Sequence, residues 1–315
     1  MSGKPKFRYR LEYGLVRTAG AFLNALPYRW ALFFACGLGR VLFGLSGKRR
    51  REASRRVRLV FGESLSRRAI ERIVWISFRN TIFNVVEMMR VSQFDLGAIN
   101  EMMPDIPVAI ERLRAVLAKT EGRGLLLALP HMGNWDLAGS GCYLSGLPIF
   151  SVAGKQRNPL MNDLINKLRS GHGMAIIERG GHTLRQIVTR IRDGQIFAIL
   201  PDTRSFTPDM AVPFLGGVAN LARGMASFAI ATRVPVVPVI MHRCGWSHFN
   251  IVIHPEIWPD FSADKEAEIV RVTREVVAII DQAIHEAPEQ WFWYNKRWVL
   301  DPVAEKSETA SVESN

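Results

Sequence analysis

His131-Met132-Gly133-Asn134-Trp135-Asp136 places an imidazole five residues before a carboxylate, directly after the apolar run Leu125–Leu129 and Pro130. Open α/β sheets carry their chemistry at the carboxyl ends of strands, so a histidine leaving a strand stands where a base is needed. On a regular helix five residues turn the chain by about 140°, and the two side chains would not share a face. A turn at Gly133-Asn134 would let Asp136 fold back onto one ring nitrogen, fix the tautomer and leave the other nitrogen as a base. The alternative is a histidine that caps a turn, with Asp136 as N-cap of the next helix. No Gly-x-Ser-x-Gly elbow, dinucleotide fingerprint or Walker loop is present, which removes the serine-hydrolase and nucleotide-binding motifs. His242, His248 and His254 lie six apart around an expected hairpin turn at residues 244–247, a spacing unlike zinc sites; strand and turn histidines account for them, and no metal is assigned. His172 and His182 flank glycine-rich turns and carry no role.

These residues need a framework, and the apolar runs supply one. Leu125–Leu129, Ile149–Ala153, Ala175–Glu178, Phe197–Leu200, Val236–Ile240 and Phe249–Ile253 read as strands. Helical segments fall between them near 137–145, 159–170, 183–193, 221–232 and 264–286. Fully apolar strands alternating with helices predict an α/β fold, with a mostly parallel mixed sheet covered by helices. Residues 101–302 form this core, and the polar, Ser/Glu-rich residues 303–315 read as a disordered tail.

Residues 1–100 look different. Trp30–Leu45 is apolar apart from Arg40, too short for a clean span of about 20 residues. Lys48, Arg49, Arg50, Arg51, Arg55, Arg56 and Arg58 follow at once. A basic cluster beside an apolar helix is the pattern of a membrane surface rich in anionic lipid, so a helical, membrane-associated N-terminal segment is expected. Whether residues 30–46 span, lie in the interface or pack in a core stays open. Residues 66–90 and 106–118 repeat apolar side chains at helical spacing and read as packing helices. Over the 315 residues, 41 Lys and Arg against 29 Asp and Glu give a formal net charge of +12. That favours an anionic partner. Nucleic acid is excluded for want of a recognition motif or interleaved aromatics. The three cysteines, Cys36, Cys142 and Cys244, are odd in number and widely spaced; they indicate a reducing compartment.

Taken in order, several blocks resemble one family. The segment from Gly124 to Asp136 is similar to the histidine–four residues–acid block of glycerolipid-type acyltransferases, and more closely to its form in the late acyltransferases of lipid A biosynthesis. Arg157-Asn158-Pro159 with Arg169, Leu200-Pro201-Asp202 with the block 211–219, and the segment from Ala287 to Trp298 resemble further blocks of that family. The ordered set covers about residues 10–300. Thr203-Arg204 stands where the family has Gln after the acid, Asn220 where Thr is common, and Tyr294-Asn295 where a His often precedes the Lys/Arg pair.

The resemblance implies a membrane enzyme of the inner, cytoplasmic membrane's cytoplasmic face. It would transfer a fatty acyl group from acyl carrier protein, or a coenzyme A thioester, to a hydroxyl of a lipid A precursor, without a cofactor. It implies that His131 takes the proton of the acceptor hydroxyl, that Asp136 orients His131, and that Arg169 steadies an oxyanion or a phosphate. Asn134, Arg157, Asp202, Arg204 and Arg223 would line the same cleft. A direct attack by the acceptor needs no serine or cysteine nucleophile. Other acceptors, a lysophospholipid or a glycolipid such as phosphatidylinositol mannoside, suit the same chemistry. Water as acceptor, or a lipid-binding protein without activity, are the remaining readings.

Overall fold

The computed structural model describes residues 6–302 except 172; the expected tail at 303–315 and His172 lie outside the described residues. Its helices are α1 (Phe7–Ala25), α2 (Tyr28–Leu45), α3 (Gly47–Phe61), α4 (Arg67–Arg90), α5 (Leu96–Met102), α6 (Ile106–Leu117), α7 (Trp135–Leu144), α8 (Pro159–Arg169), α9 (Thr183–Arg192), α10 (Gly224–Thr232) and α11 (Lys265–Glu286). Its strands are β1 (Leu126–Ala128), β2 (Ile149–Ala153), β3 (Ala175–Glu178), β4 (Ile196–Ile199), β5 (Met210–Phe214), β6 (Gly217–Leu221), β7 (Val236–Cys244) and β8 (His248–Ile253).

Six strands form one sheet in the order β3-β2-β4-β1-β7-β8. All neighbours run parallel except β7 and β8, which close an antiparallel hairpin on Gly245 at φ 64°. The pleat sends alternate residues of β1 to opposite faces. Leu126 and Ala128 pack with Ile187, Ala226 and Val276 from α9, α10 and α11. Leu125 and Leu127 pack with Ile99, Leu113 and Leu137 from α5, α6 and α7. Burial on both faces at the centre of the sheet explains why β1 and β4 read as unbroken apolar runs, while the edge strand β8 alternates buried and exposed residues.

The N-terminal helices join this body rather than stand apart from it. Phe43, Val57, Ile70 and Val74 belong to the same apolar cluster as Leu126 and Phe197. Ser66 starts α4 by accepting from the amide of Ala69, and Phe83 and Val86 farther along seat Ala31, Leu32 and Ala35 of α2. The opposite face of α2 is bare: Trp30, Phe33, Phe34, Leu38, Val41 and Leu45 are all exposed, and so are Phe7, Leu11 and Leu15 of α1. No described helix is by itself long and apolar enough to cross a membrane; α2 and the segment Gly47–Ser64 reach that composition only together, across an 89° bend.

One hairpin was not foreseen. The β5–β6 hairpin alternates buried and exposed residues over only five positions a side, and turns on Leu215 and Gly216, both at positive φ. Helix α1 buries only Gly20, and its apolar side chains Phe7, Leu11 and Leu15 face outward.

Candidate active site

β1 and β4 are adjacent and parallel in the register Leu126↔Phe197, Leu127↔Ala198, Ala128↔Ile199. Each then runs into a Leu-Pro pair, Leu129-Pro130 and Leu200-Pro201, where proline has no N–H for the ladder. Three residues beyond the last pair, the same register sets His131 against Asp202. The Nδ1 of His131 lies 2.7 Å from Oδ1 of Asp202, and the His131 backbone N–H donates to Oδ2 at 2.7 Å.

Asp202 has no exposed side-chain surface, whereas the His131 side chain is 24% exposed. The indole N–H of Trp291 also donates to Oδ2, at 2.8 Å. Burial works against the charge on Asp202, but the facing His131 ring and the N–H donors outweigh it and hold the carboxyl below the usual range. With Oδ2 taken by two N–H groups, the network assigns the proton to Nδ1 of His131 as donor to Oδ1, leaving a lone pair on the accessible Nε2. The imidazole is thus held from behind on its Nδ1 side, with its side chain partly exposed.

The C-terminal segment builds the wall behind this pair. Trp291 stacks edge-on against Trp293 with ring centres 4.9 Å apart, and Phe292 donates its amide to the carbonyl of His131 at 3.0 Å. Ser77 of α4 donates to the Trp291 carbonyl at 2.5 Å, and Arg56 of α3 donates to the carbonyls of Trp293 and Asn295 at 2.9 and 2.6 Å.

Asp136 does not hold His131. The Gly133-Asn134 turn does form, with Gly133 at φ 59°, but Asn134 rather than Asp136 caps α7, accepting from the Leu137 amide at 3.0 Å. Asp136 therefore sits in the first helical turn and faces α8. Its Oδ1 is 3.0 Å from Nε of Arg169, and Oδ2 is 3.5 Å from Nη2. The structure thus forms two pairs, His131 with Asp202 and Arg169 with Asp136, both at carboxyl ends of sheet strands or the helix ends that follow.

Beneath the turn lies an ionic network that the sequence did not disclose. Glu87 of α4 and Arg243 of β7 pair through both oxygens at 2.6 Å, with no side-chain exposure on either. Asn134 and Tyr28 each donate to Glu87 at 2.6 Å; Arg243 also donates to Asn84, which in turn donates to the Gly133 carbonyl at 2.7 Å. A Cβ on Gly133 would come within 2.5 Å of the Met241 carbonyl. The only hint was polarity out of place: Glu87 in the run Val85–Met89, and Arg243 at the end of an apolar strand.

The remaining expected residues have other partners. Arg204 donates to the carbonyls of Asp301 and Pro302 at 3.3 and 2.6 Å. Arg223, ahead of α10, pairs with Asp209 and Glu266, both at 2.8 Å. Arg157 is exposed beside Asn158, which caps α8 and reaches Glu12 of α1 at 2.9 Å. His242 and His248 sit on β7 and β8 facing Asn250 and Cys244 across the hairpin.

Residues 1–299 match the family described as bacterial lipid A biosynthesis acyltransferase. A phosphatidylinositol mannoside acyltransferase of Mycolicibacterium smegmatis is 25% identical over 223 residues, 68% of each chain. A lipid A biosynthesis acyltransferase of Haemophilus influenzae is 26% identical over 181 residues, and the match spans 56% of this chain and about half (54%) of that relative. A lipid A biosynthesis palmitoleoyltransferase of Escherichia coli is 24% identical over 198 residues, 60% of each chain.

Proposed function

The chain belongs to the bacterial lipid A biosynthesis acyltransferase family, and from that premise we propose that it moves a fatty acyl group from acyl carrier protein to a hydroxyl of a lipid A precursor. The observation that carries the reading is the His131–Asp202 pair, with a partly exposed imidazole on one side and a buried carboxylate on the other. Nε2 takes the proton of the acceptor hydroxyl as its oxygen attacks the thioester carbonyl. The carbonyl π pair moves to oxygen. When it returns, the C–S bond breaks and the leaving thiolate takes the proton from Nε2, so ester and free thiol form with no net change in the enzyme. Asp202 keeps the ring oriented and stabilises the imidazolium while it lasts.

Arg169 is the cation we assign to the developing oxyanion or to a phosphate of either substrate, since a guanidinium offers paired donors. Asp136 orients Arg169. Asn134 and Gly133 fix the turn between the two pairs. Because three relatives are named for phosphatidylinositol mannoside, a phosphorylated glycolipid acceptor is the second reading.

The bare apolar faces of α1 and α2, next to the basic α3, support work at the cytoplasmic face of the inner membrane. Exposed Trp, Phe and Leu side chains gain roughly 1.5–3 kcal/mol each on leaving water.

The test is product mass. Purified chain would be incubated with acyl carrier protein loaded with several chain lengths, then with coenzyme A thioesters, against a lipid A precursor and phosphatidylinositol mannoside. One acyl group gained, and lost with His131→Ala, is the expected result. Transfer only to the mannoside moves the assignment to the second reading. No transfer from folded protein to any acceptor sinks both.

A further inference from the structure

Between α2, α3 and the start of α4 runs a groove of about 790 Å³ with an aromatic floor and an arginine rim. Phe43 and Trp75 form the floor; Arg40, Arg50, Arg51, Arg58 and Arg72 stand around it. The one carboxylate in the lining, Glu71, is paired with Arg67 at 3.1 Å, and nearby Glu52 holds Arg55 and Arg56. Among the described residues, none of the five rim arginines has a carboxylate partner. Like charges gathered without counter-ions raise the local potential and favour an anion.

The arginines are also preset. The Arg40 guanidinium lies 4.7 Å from the centre of the Trp75 ring, and that of Arg50 lies 5.5 Å from the Phe43 ring. Stacking occupies the guanidinium face and leaves its N–H edge free, the arrangement that grips a phosphate through two parallel hydrogen bonds.

What the groove opens onto narrows the ligand. Arg40 and Trp75 are shared with a shallower hollow of about 590 Å³ walled by Phe33, Phe34, Leu38 and Trp246, and this continues into the bare face of α2. A phosphate seat joined to an apolar trough fits a molecule that is charged at one end and hydrocarbon at the other. A soluble nucleotide or an acidic protein helix would fill the first and leave the second in water.

We propose that this groove binds the headgroup phosphate of an anionic glycerophospholipid, whose acyl chains lie along the exposed face of α2. The site is separate from His131 and Asp202, and its occupancy does not depend on the acyl-transfer reading.

The test is flotation of the full chain with vesicles of phosphatidylcholine alone or mixed with phosphatidylglycerol, with no acyl donor present. Basic residues near an anionic surface contribute about 1 kcal/mol each, so Arg40→Gln/Arg50→Gln/Arg51→Gln should weaken binding to the mixed vesicles at least tenfold. Arg112→Gln/Arg185→Gln/Arg274→Gln, an equal loss of exposed charge elsewhere, should change it little. Arg40→Lys/Arg50→Lys keeps the charge but loses the stacked, two-pronged geometry, and should still fall severalfold. Equal losses in the groove and control variants, or a lysine variant that floats like the parent, would overturn the site in favour of diffuse attraction. A groove variant that floats normally yet loses affinity for acidic acyl carrier protein would make the groove a protein-docking surface instead. Inactivity toward every acceptor, with flotation as expected, would sink only the acyl-transfer reading.

Discussion

Arg243 and Glu87, 156 residues apart, meet fork to fork with both contacts at 2.6 Å and neither side chain exposed. Their position gives the pair a structural role. Asn134, which caps α7, and Asn84, which holds the Gly133 carbonyl, each take one hydrogen bond from this pair or give one to it. The turn between His131 and Asp136 is thereby pinned to α4 and β7, and strand β1 alone would not fix it.

Breaking one half of a buried pair leaves the other charge without a partner, which costs about 3–5 kcal/mol. Glu87→Gln and Arg243→Met should each lower stability by that order in urea unfolding. The double Glu87→Leu/Arg243→Met should cost less than the two singles together, because no charge is stranded. Additive costs would show that the pair is not a unit.

For Asp202→Asn the hydrogen-bond geometry forecasts more than a lost charge. Two N–H groups, from His131 and Trp291, point at Oδ2. The amide oxygen must face them, which turns the NH₂ toward Nδ1 of His131. Nδ1 then accepts, the ring proton moves to Nε2, and the base is gone. We expect kcat to fall by about 10²–10⁴ with KM nearly unchanged, and thermal stability reduced only modestly. A variant with near-parental kcat would remove Asp202 from the mechanism.

How much of this was readable differs by element. The central strands β1 and β4 declared themselves because the sheet around them left no polar positions, and β2, β3, β7 and β8 kept enough apolar residues to read as strands despite Ser151, Glu178, His242 and Asn250. Five of the helices between and after them appeared within three residues of where periodicity put them. Partner choice was the harder part. Spacing offered Asp136 to His131 because they are neighbours in sequence, while the true partner arrives from another strand 71 residues on. A signal did exist: both strands end in Leu-Pro followed by a titratable residue, and parallel strands in register bring such repeats together. Using it requires knowing that β4 lies beside β1, and strand order is not written in local pattern. The Glu87–Arg243 pair was hidden for the same reason, since each looks like an isolated polar intrusion until α4 is laid against β7.

The two-pair arrangement makes a coupling prediction. Asp136 touches Arg169, and no hydrogen bond or ion pair links it to His131 among the described residues. Once Arg169 is alanine, removing Asp136 should matter little. In a double-mutant cycle on kcat/KM, Asp136→Ala and Arg169→Ala should couple by about 0.5–3 kcal/mol. Asp136→Ala and Asp202→Ala should be close to additive. Strong coupling between the two aspartates would restore Asp136 as a support of His131.

Stability should also fall on mild acidification, and the cause lies away from the His131–Asp202 pair. His242 on β7 has its Nε2 buried without a hydrogen-bond partner. Burial lowers its pKa from the ordinary 6.5, against the opposing pull of Glu286 and Glu289. His254, just past β8, is lowered too, by burial and by the charge of Arg112. A histidine whose folded value is depressed is neutral in both states well above pH 6.5. As the pH drops through 6.5 the unfolded chain takes up the proton first, so stability is lost from there down through the folded value. Asp202, also depressed, acts in the same direction but only below about pH 3.8. Urea midpoints measured from pH 8 to 5 should therefore decline, and His242→Phe should flatten the slope because that side chain has no proton to bind. A parental slope in His242→Phe, with His254→Phe likewise unchanged, would assign the acid sensitivity to other groups.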